Sequence, residues 1–132
     1  MNLIKKFMTV FAIGAALYSA VEILWRGFTH WTMGLAGGIC LCGIYTVNEK
    51  TFKSRLGKLA LCAALITVVE FIFGLVVNVL LKLNVWDYSE RRFNILGQIC
   101  PLYTVLWFLL SAPAVALCNL LKNNLFKNVE NR

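Results

Sequence analysis

Four long apolar runs constrain this chain more than any other feature of its sequence. They occupy residues 7–25, 33–47, 59–81 and 95–121, and short polar stretches separate them. A bilayer core needs about 20 consecutive, mostly apolar residues to accommodate one helix. Since 60% of the 132 residues are hydrophobic and only 14% are charged, the runs predict an all-α protein. We expect an integral membrane four-helix bundle, formed by a single domain over residues 1–132.

The second run is the shortest of the four and is rich in glycine. Glycine costs helix stability in water, but in lipid it lets two helix backbones approach closely. The sequence therefore predicts close packing of this helix, with the glycines Gly34, Gly37, Gly38 and Gly43.

Lysine and arginine are unevenly distributed between the two ends of the predicted bundle. Nine of the 13 lie in the N-terminal segment, the middle connection and the C-terminal segment: Lys5, Lys6, Lys50, Lys53, Arg55, Lys58, Lys122, Lys127 and Arg132. Because cytoplasmic loops carry the excess of basic residues, both termini are predicted to face the cytoplasm. Membrane lipids with anionic headgroups account for the net charge of +7, so no nucleic-acid partner is needed.

Two acidic residues, Glu22 and Glu70, lie inside the first and third apolar runs. A carboxyl within a membrane must be protonated, paired or hydrated, and is therefore a candidate functional residue. Glu22 could simply pair with Arg26, one helical turn further along. Glu70 has no basic residue three or four positions away, so its partner must be another helix, Asn78 through a water molecule, or a proton.

The first and third connections are rich in aromatic and charged side chains. Interfacial belts of aromatic residues explain tryptophans such as Trp107, but not the carboxylate of Asp87 between two aromatic rings. We expect a polar cavity in the outward half of the membrane that binds an ion, an amine or a proton. Its predicted residues are Glu22, His30, Glu70, Trp86, Asp87, Tyr88, Asn94 and Gln98, with Arg26, Arg91 and Arg92 as counter-ions.

The two halves of the sequence share an order of features. Each has a helix with one carboxyl, an aromatic connection and a helix that opens on G-[GQ]-I-C, as a parallel two-helix repeat would. All five cysteines fall within the predicted spans, which favours free apolar thiols over a disulfide framework or a zinc site. No catalytic residue, metal or cofactor is predicted, because paired nucleophiles and metal-ligand spacings are missing from the sequence.

Several motifs resemble one known family. Tyr18 with Glu22, G-F-T-H-W-T-M at 27–33, V-W-D-Y-S at 85–89 and N-x-x-G-Q-I-C at 94–100 resemble bacterial membrane proteins grouped as ABC-transporter type IV, or CmpB-like. The resemblance covers about residues 18–107 and implies a permease-like subunit of the bacterial cytoplasmic membrane. Because the sequence contains no G-x-x-x-x-G-K-[ST], the ATPase of such a system would be a separate subunit. Because four helices are few for a permease half, we expect a homo-oligomer or a complex with another membrane subunit.

Other classes of function stay open at this point. Small multidrug-resistance exporters also have four short helices and a carboxyl in the first, but their loop patterns are missing here. A membrane-embedded enzyme acting on lipid or cell-wall precursors could use His30 or Asp87 as a base. A non-catalytic scaffold or sensor could instead use the acids for assembly with a larger membrane partner.

Overall fold

The computed structural model describes residues 3–50, 52–87 and 89–125. Within these ranges the chain has no β-strand, and four α-helices follow one another. They are α1 (Leu3–Arg26), α2 (Trp31–Asn48), α3 (Arg55–Gly74) and α4 (Pro101–Leu120). The last two helices continue as π-helical segments over Leu75–Leu80 and Leu121–Leu125. The predicted all-α fold with four helices is therefore confirmed.

Three helical segments are long and apolar enough to cross a membrane, which identifies this chain as a membrane protein. They are Leu3–Arg26, Arg55–Leu80 and Pro101–Asn124. The predicted second span, α2, is not among these three, because its 18 residues include four glycines and end on Asn48. It nevertheless packs against α1, α3 and α4, and forms the centre of the bundle.

Glycines bring α1 and α2 into close contact. A methyl group placed on Gly37 would lie 2.5 Å from Cβ of Tyr18, and one on Gly14 would lie 2.8 Å from the carbonyl oxygen of Gly37. A methyl group on Gly38 would meet the ring of Phe11 at 2.7 Å. Only hydrogen at these positions permits the observed separation of the two helices, as the glycine content of the second run predicts.

The fourth helix begins six residues later than the predicted span 95–121. Residues 95–100 form an irregular turn, in which the N–H of Ile95 donates to the carbonyl oxygen of Ile99 at 3.0 Å. Gly97 has φ of +73°, a left-handed conformation that ends any helix running through it. Pro101 then starts α4, where its missing N–H is no loss. Hydropathy alone extended the span, because Ile95, Leu96 and Ile99 are apolar.

The buried side chains form two clusters, one toward each end of the bundle. The cluster nearer the chain termini contains Val10, Leu41, Ile44, Tyr45, Leu59, Cys62, Val115 and Cys118. The cluster beneath the α1–α2 and α3–α4 connections contains Met33, Val77, Val85 and Trp86. These two connections differ in length, spanning residues 27–30 and 81–100, and the predicted repeat stays a prediction.

A buried lysine marks the terminal end of the bundle. Lys6 is almost fully buried, and its ammonium lies 3.6 Å from a carboxylate oxygen of Glu49. The same ammonium lies 5.0 Å from the ring centroids of Phe7 and Tyr45. An ion pair with aromatic faces around it lowers the cost of burying a charge at this depth.

Candidate functional site

Two adjacent cavities occupy a cleft between α1 and α4. Because α1 packs along α2 while α4 packs against α3 and α2, the first and fourth helices stand on either side of this cleft. The Glu70 cavity has a volume of about 280 Å³ and the Arg26 cavity about 310 Å³. They share the side chains Tyr18, Val21, Met33, Trp86, Trp107 and Leu110 in their walls.

Glu70 lies on α3 in the wall of the cavity that bears its name. It is 8% exposed, and its Oε1 accepts a hydrogen bond from Nε1 of Trp107, on α4, at 3.2 Å. A partner for this acid therefore does come from another helix. The interpretation of Trp107 as an interfacial belt residue is wrong, because the side chain is buried and its indole N–H points at the carboxylate.

Glu22 is held by side chains of its own helix. Its Oε2 accepts a hydrogen bond from Nε of Arg26 at 2.6 Å, and its Oε1 accepts one from the hydroxyl of Tyr18 at 3.1 Å. Both partners lie four residues away, on the same helix face. Arg26 also donates from Nη1 to the carbonyl oxygen of Val85 at 2.9 Å, and its guanidinium lies 4.5 Å from the ring centroid of Phe28. The hydrogen bond from Arg26 to Val85 thus joins the end of α1 to the α3–α4 connection.

A buried polar network positions Trp86 over the cleft. Oδ1 of Asn78 accepts hydrogen bonds from the N–H groups of Val85 and Trp86 at 2.7 and 3.3 Å, and Nδ2 of Asn78 donates to Oε1 of Gln98 at 2.8 Å. The indole N–H of Trp86 donates to the carbonyl oxygen of Gln98 at 3.0 Å. Gly74 leaves room for this arrangement, since a methyl group there would collide with the Gln98 side chain. Gln98 therefore bonds to Asn78 and to Trp86, and it does not line either cavity.

Asp87 and Asn94 bind backbone groups of the same connection. Oδ1 of Asp87 accepts a hydrogen bond from the N–H of Ser89 at 2.9 Å. Nδ2 of Asn94 donates to the carbonyl oxygens of Ser89 and Arg91 at 3.1 and 2.8 Å, and its Oδ1 accepts from the N–H of Gly97 at 2.9 Å. These contacts hold the chain in its irregular path between the two helices.

An exposed polar pocket of about 340 Å³ lies outside the two cavities, lined by Asp87, Ser89, Glu90 and Arg91. Arg92 is exposed as well. Tyr88, also a predicted site residue, lies outside the described residues.

His30 caps the beginning of α2. Its Nδ1 accepts a hydrogen bond from the N–H of Thr32 at 3.3 Å and lies 2.7 Å from the Thr32 hydroxyl oxygen. Its ring centroid lies 5.6 Å from that of Trp31. His30 is thus the N-cap residue of α2, because its imidazole accepts a hydrogen bond from an N–H that has no partner within the helix.

The structure brings only some of the predicted site residues together. Glu22, Arg26, Glu70 and Trp86 line the cleft, whereas His30, Asp87, Asn94, Gln98, Arg91 and Arg92 do not. Sequence reasoning missed Tyr18 and Trp107 as cavity residues and gave Asn78 too small a role. Tyr18 could have been found, because it precedes Glu22 by one helical turn.

The cysteines and other metal-binding side chains form no cluster in the ranges that the structure describes. No three His, Cys, Asp or Glu side chains come together there as metal ligands. All five cysteines are free thiols, and three of them are buried: Cys62, Cys100 and Cys118.

Comparison with known proteins places the chain in a family by sequence alone. No curated protein and no solved structure shows significant similarity to it. One family model matches residues 3–132, which is nearly the whole chain and includes every residue of the cleft. The chain therefore belongs to the family described as "Putative ABC-transporter type IV".

Proposed function

We propose that the Glu70 cavity binds a small amphipathic organic cation and that this protein is a permease-like membrane component of a transport system. The observation that carries the proposal is a single one. Glu70 is the one acidic residue in the wall of a cavity whose other lining residues are apolar or aromatic.

The chemistry of the wall favours a lipophilic cation over a hydrated metal ion. An inorganic ion needs several oxygen ligands to replace its water, whereas the wall offers one carboxylate and the aromatic side chains of Tyr18, Trp86 and Trp107. Aromatic faces attract ammonium groups, and such groups lose little hydration when they carry alkyl substituents.

The volume and position of the cavity support a small ligand that enters from the membrane. At about 280 Å³ the cavity is at the lower end of the range for small-molecule sites. Leu17 and Val21 on α1 and Leu110 on α4 remain 49, 44 and 39% exposed at the edges of the cleft. Since these edges are apolar, lateral entry from lipid fits the cleft better than entry from water.

The description of the family refers to an ABC transporter, and this supports a transport role together with a separate ATPase subunit. Assembly as a homo-oligomer, location in a bacterial cytoplasmic membrane and a cytoplasmic position of both termini belong to the same proposal. The enzyme alternative receives less support, because neither His30 nor Asp87 lines the cleft.

The test is equilibrium binding of benzyltrimethylammonium to the purified full-length protein in mild detergent. Its neutral carbon isostere, neopentylbenzene, has the same shape without the charge. We expect the wild type to bind the cation at least tenfold more tightly than the isostere, and Glu70→Gln to abolish that preference. Glutamine keeps an oxygen that can accept the Trp107 hydrogen bond, so the variant should retain the fold. Glu90→Gln, in the exposed connection, is the matched control and should bind like the wild type.

Three results would refute the proposal. Equal affinity for the two compounds would show an apolar cavity without cation selectivity. Unchanged cation binding by Glu70→Gln would place the site elsewhere. Failure of the wild type to bind either compound would favour the scaffold alternative.

A further inference from the structure

The guanidinium of Arg26 has one nitrogen without a hydrogen-bond partner in the part of the chain that the structure describes. Its Nε binds Glu22 and its Nη1 binds the carbonyl oxygen of Val85. Nη2 is buried, yet it has no hydrogen-bond partner among the residues that the structure describes. Buried donors are rarely left unpaired, especially on a charged group, so this nitrogen points to an acceptor oxygen beyond those of the described residues.

The surroundings of Arg26 are those of a membrane interface. Arg26 is the last residue of α1, and its neighbours in the cavity wall include the apolar side chains of Trp25, Leu106 and Leu109. Trp25 and Leu109 are 70 and 60% exposed, so the cavity is bordered by exposed apolar surface. A ligand here can place a polar head at Arg26 and an alkyl chain along the cleft.

Arg91 adds a second positive charge near the rim of the Arg26 cavity, and it shares an exposed pocket with Asp87 and Glu90. Glu22 already balances one positive charge, but a second cation is close. The guanidinium of Arg91 lies 6.0 Å from the ring centroid of Tyr103, which lines the Arg26 cavity. A head with one negative charge would therefore meet a nearby positive charge as well as Arg26, whose buried Nη2 has no described partner.

We propose that the Arg26 cavity binds a phospholipid, with a phosphodiester oxygen accepting hydrogen bonds from Nη2 of Arg26 and an acyl chain in the cleft between α1 and α4. Arginine suits phosphate because its planar fork presents several N–H groups to oxygen. The phosphate layer of a bilayer lies at the level of helix ends, where Arg26 is found. This lipid site is distinct from the proposed cation site at Glu70, although the two cavities share a wall.

The experiment is native mass spectrometry of the full-length protein in detergent, titrated with phosphatidylglycerol. Two other probes separate the sources of affinity: diacylglycerol has the same chains without phosphate, and inorganic phosphate has no chains. We expect diacylglycerol to bind at least tenfold more weakly than phosphatidylglycerol, and millimolar inorganic phosphate to leave the lipid complex intact. Arg26→Lys keeps the charge beside Glu22 but loses the fork, and we expect it to weaken phosphatidylglycerol binding at least fivefold. Arg92→Lys is the matched control and should bind like the wild type.

A second variant keeps the proposal testable if Arg26→Lys does not fold. Leu109→Trp fills the cleft on a surface that faces lipid and leaves Arg26 in place, so it should also lower the occupancy at least fivefold. Equal binding of diacylglycerol would reduce the site to an apolar groove, and displacement by inorganic phosphate would make it a free-anion site. Either result, or unchanged lipid binding by Leu109→Trp, would overturn the proposal. Benzyltrimethylammonium binding reports separately on the Glu70 cavity.

Discussion

Replacing Gly37 by alanine should separate α1 from α2 and distort the Glu70 cavity. Gly37 lines that cavity, and a methyl group on it would lie 2.5 Å from Cβ and 3.0 Å from Cγ of Tyr18. It would also lie 3.0 Å from the carbonyl oxygen of Gly14, which is backbone and cannot rotate away. The helices must therefore move apart to accept the substitution.

The size of the effect follows from a comparison with Gly34, one turn earlier on the same helix. A methyl group on Gly34 meets only the Ser19 hydroxyl at 3.3 Å and Cβ of Ala15 at 4.0 Å, and the hydroxyl can rotate. Both alanine variants gain a similar helix propensity, about 1 kcal/mol by measurements in water. Overpacking costs about 1–3 kcal/mol and applies only to Gly37. The difference in unfolding free energy between the variants should thus be about 1–3 kcal/mol, with Gly37→Ala the less stable.

The assay is reversible unfolding of each variant in mixed micelles with increasing sodium dodecyl sulfate, followed by tryptophan fluorescence. Since Trp107 and Trp86 line the cavity, the emission of the folded protein should also shift in Gly37→Ala and stay constant in Gly34→Ala. Equal stabilities for the two variants, within about 0.5 kcal/mol of each other, would refute the reasoning that these glycines exist for close helix contact.

Three further substitutions test other parts of the structure by the same unfolding assay. Asn78→Leu removes three hydrogen bonds from the α3–α4 connection and should lower the unfolding free energy by about 2–4 kcal/mol, because it leaves buried N–H groups without acceptors. The control Asn123→Leu changes an exposed site and should leave the unfolding free energy almost unchanged. Equal losses in the two variants would contradict this role of Asn78. Lys6→Ala removes the buried member of an ion pair whose carboxylate, on Glu49, is 33% exposed, and it also removes packing against the rings of Phe7 and Tyr45. It should lower the unfolding free energy more than the exposed Lys5→Ala does, and similar losses would show that these contacts contribute little. Gly97→Ala forces a side chain into the left-handed region at φ of +73° and should cost about 1–2 kcal/mol, whereas no change would mean that the turn can relax.

The membrane character and helical class of this chain could be predicted from sequence because each depends on local composition. A long apolar run is a helix in lipid whatever its neighbours, since its backbone must satisfy its own hydrogen bonds. The same reasoning failed where an apolar run contains a turn. Residues 95–100 are apolar enough to span, but the left-handed Gly97 and the position of Pro101 make them a connection.

The candidate site was predictable only in part, for a related reason. Glu22 and Glu70 stand out because a carboxyl is rare in an apolar run. Asn78 is also a polar residue within such a run, but it is uncharged and therefore less conspicuous. His30 and Asp87 were grouped with them by their chemistry and predicted depth. The structure instead gives both side chains short-range hydrogen bonds, one to a helix N-terminus and one to a neighbouring backbone N–H.

The sequence by itself thus determined the all-helical membrane fold, the family, the two intramembrane acids and the use of glycine for close packing. Tertiary structure decided that α1 and α4 stand apart, that Trp107 donates to Glu70, and that one nitrogen of Arg26 stays without a described partner. These facts depend on which faces of distant helices meet. Apolar helix faces in lipid are nearly equivalent in hydrophobicity, so their pairing is set by shape and by a few hydrogen bonds that no local pattern encodes.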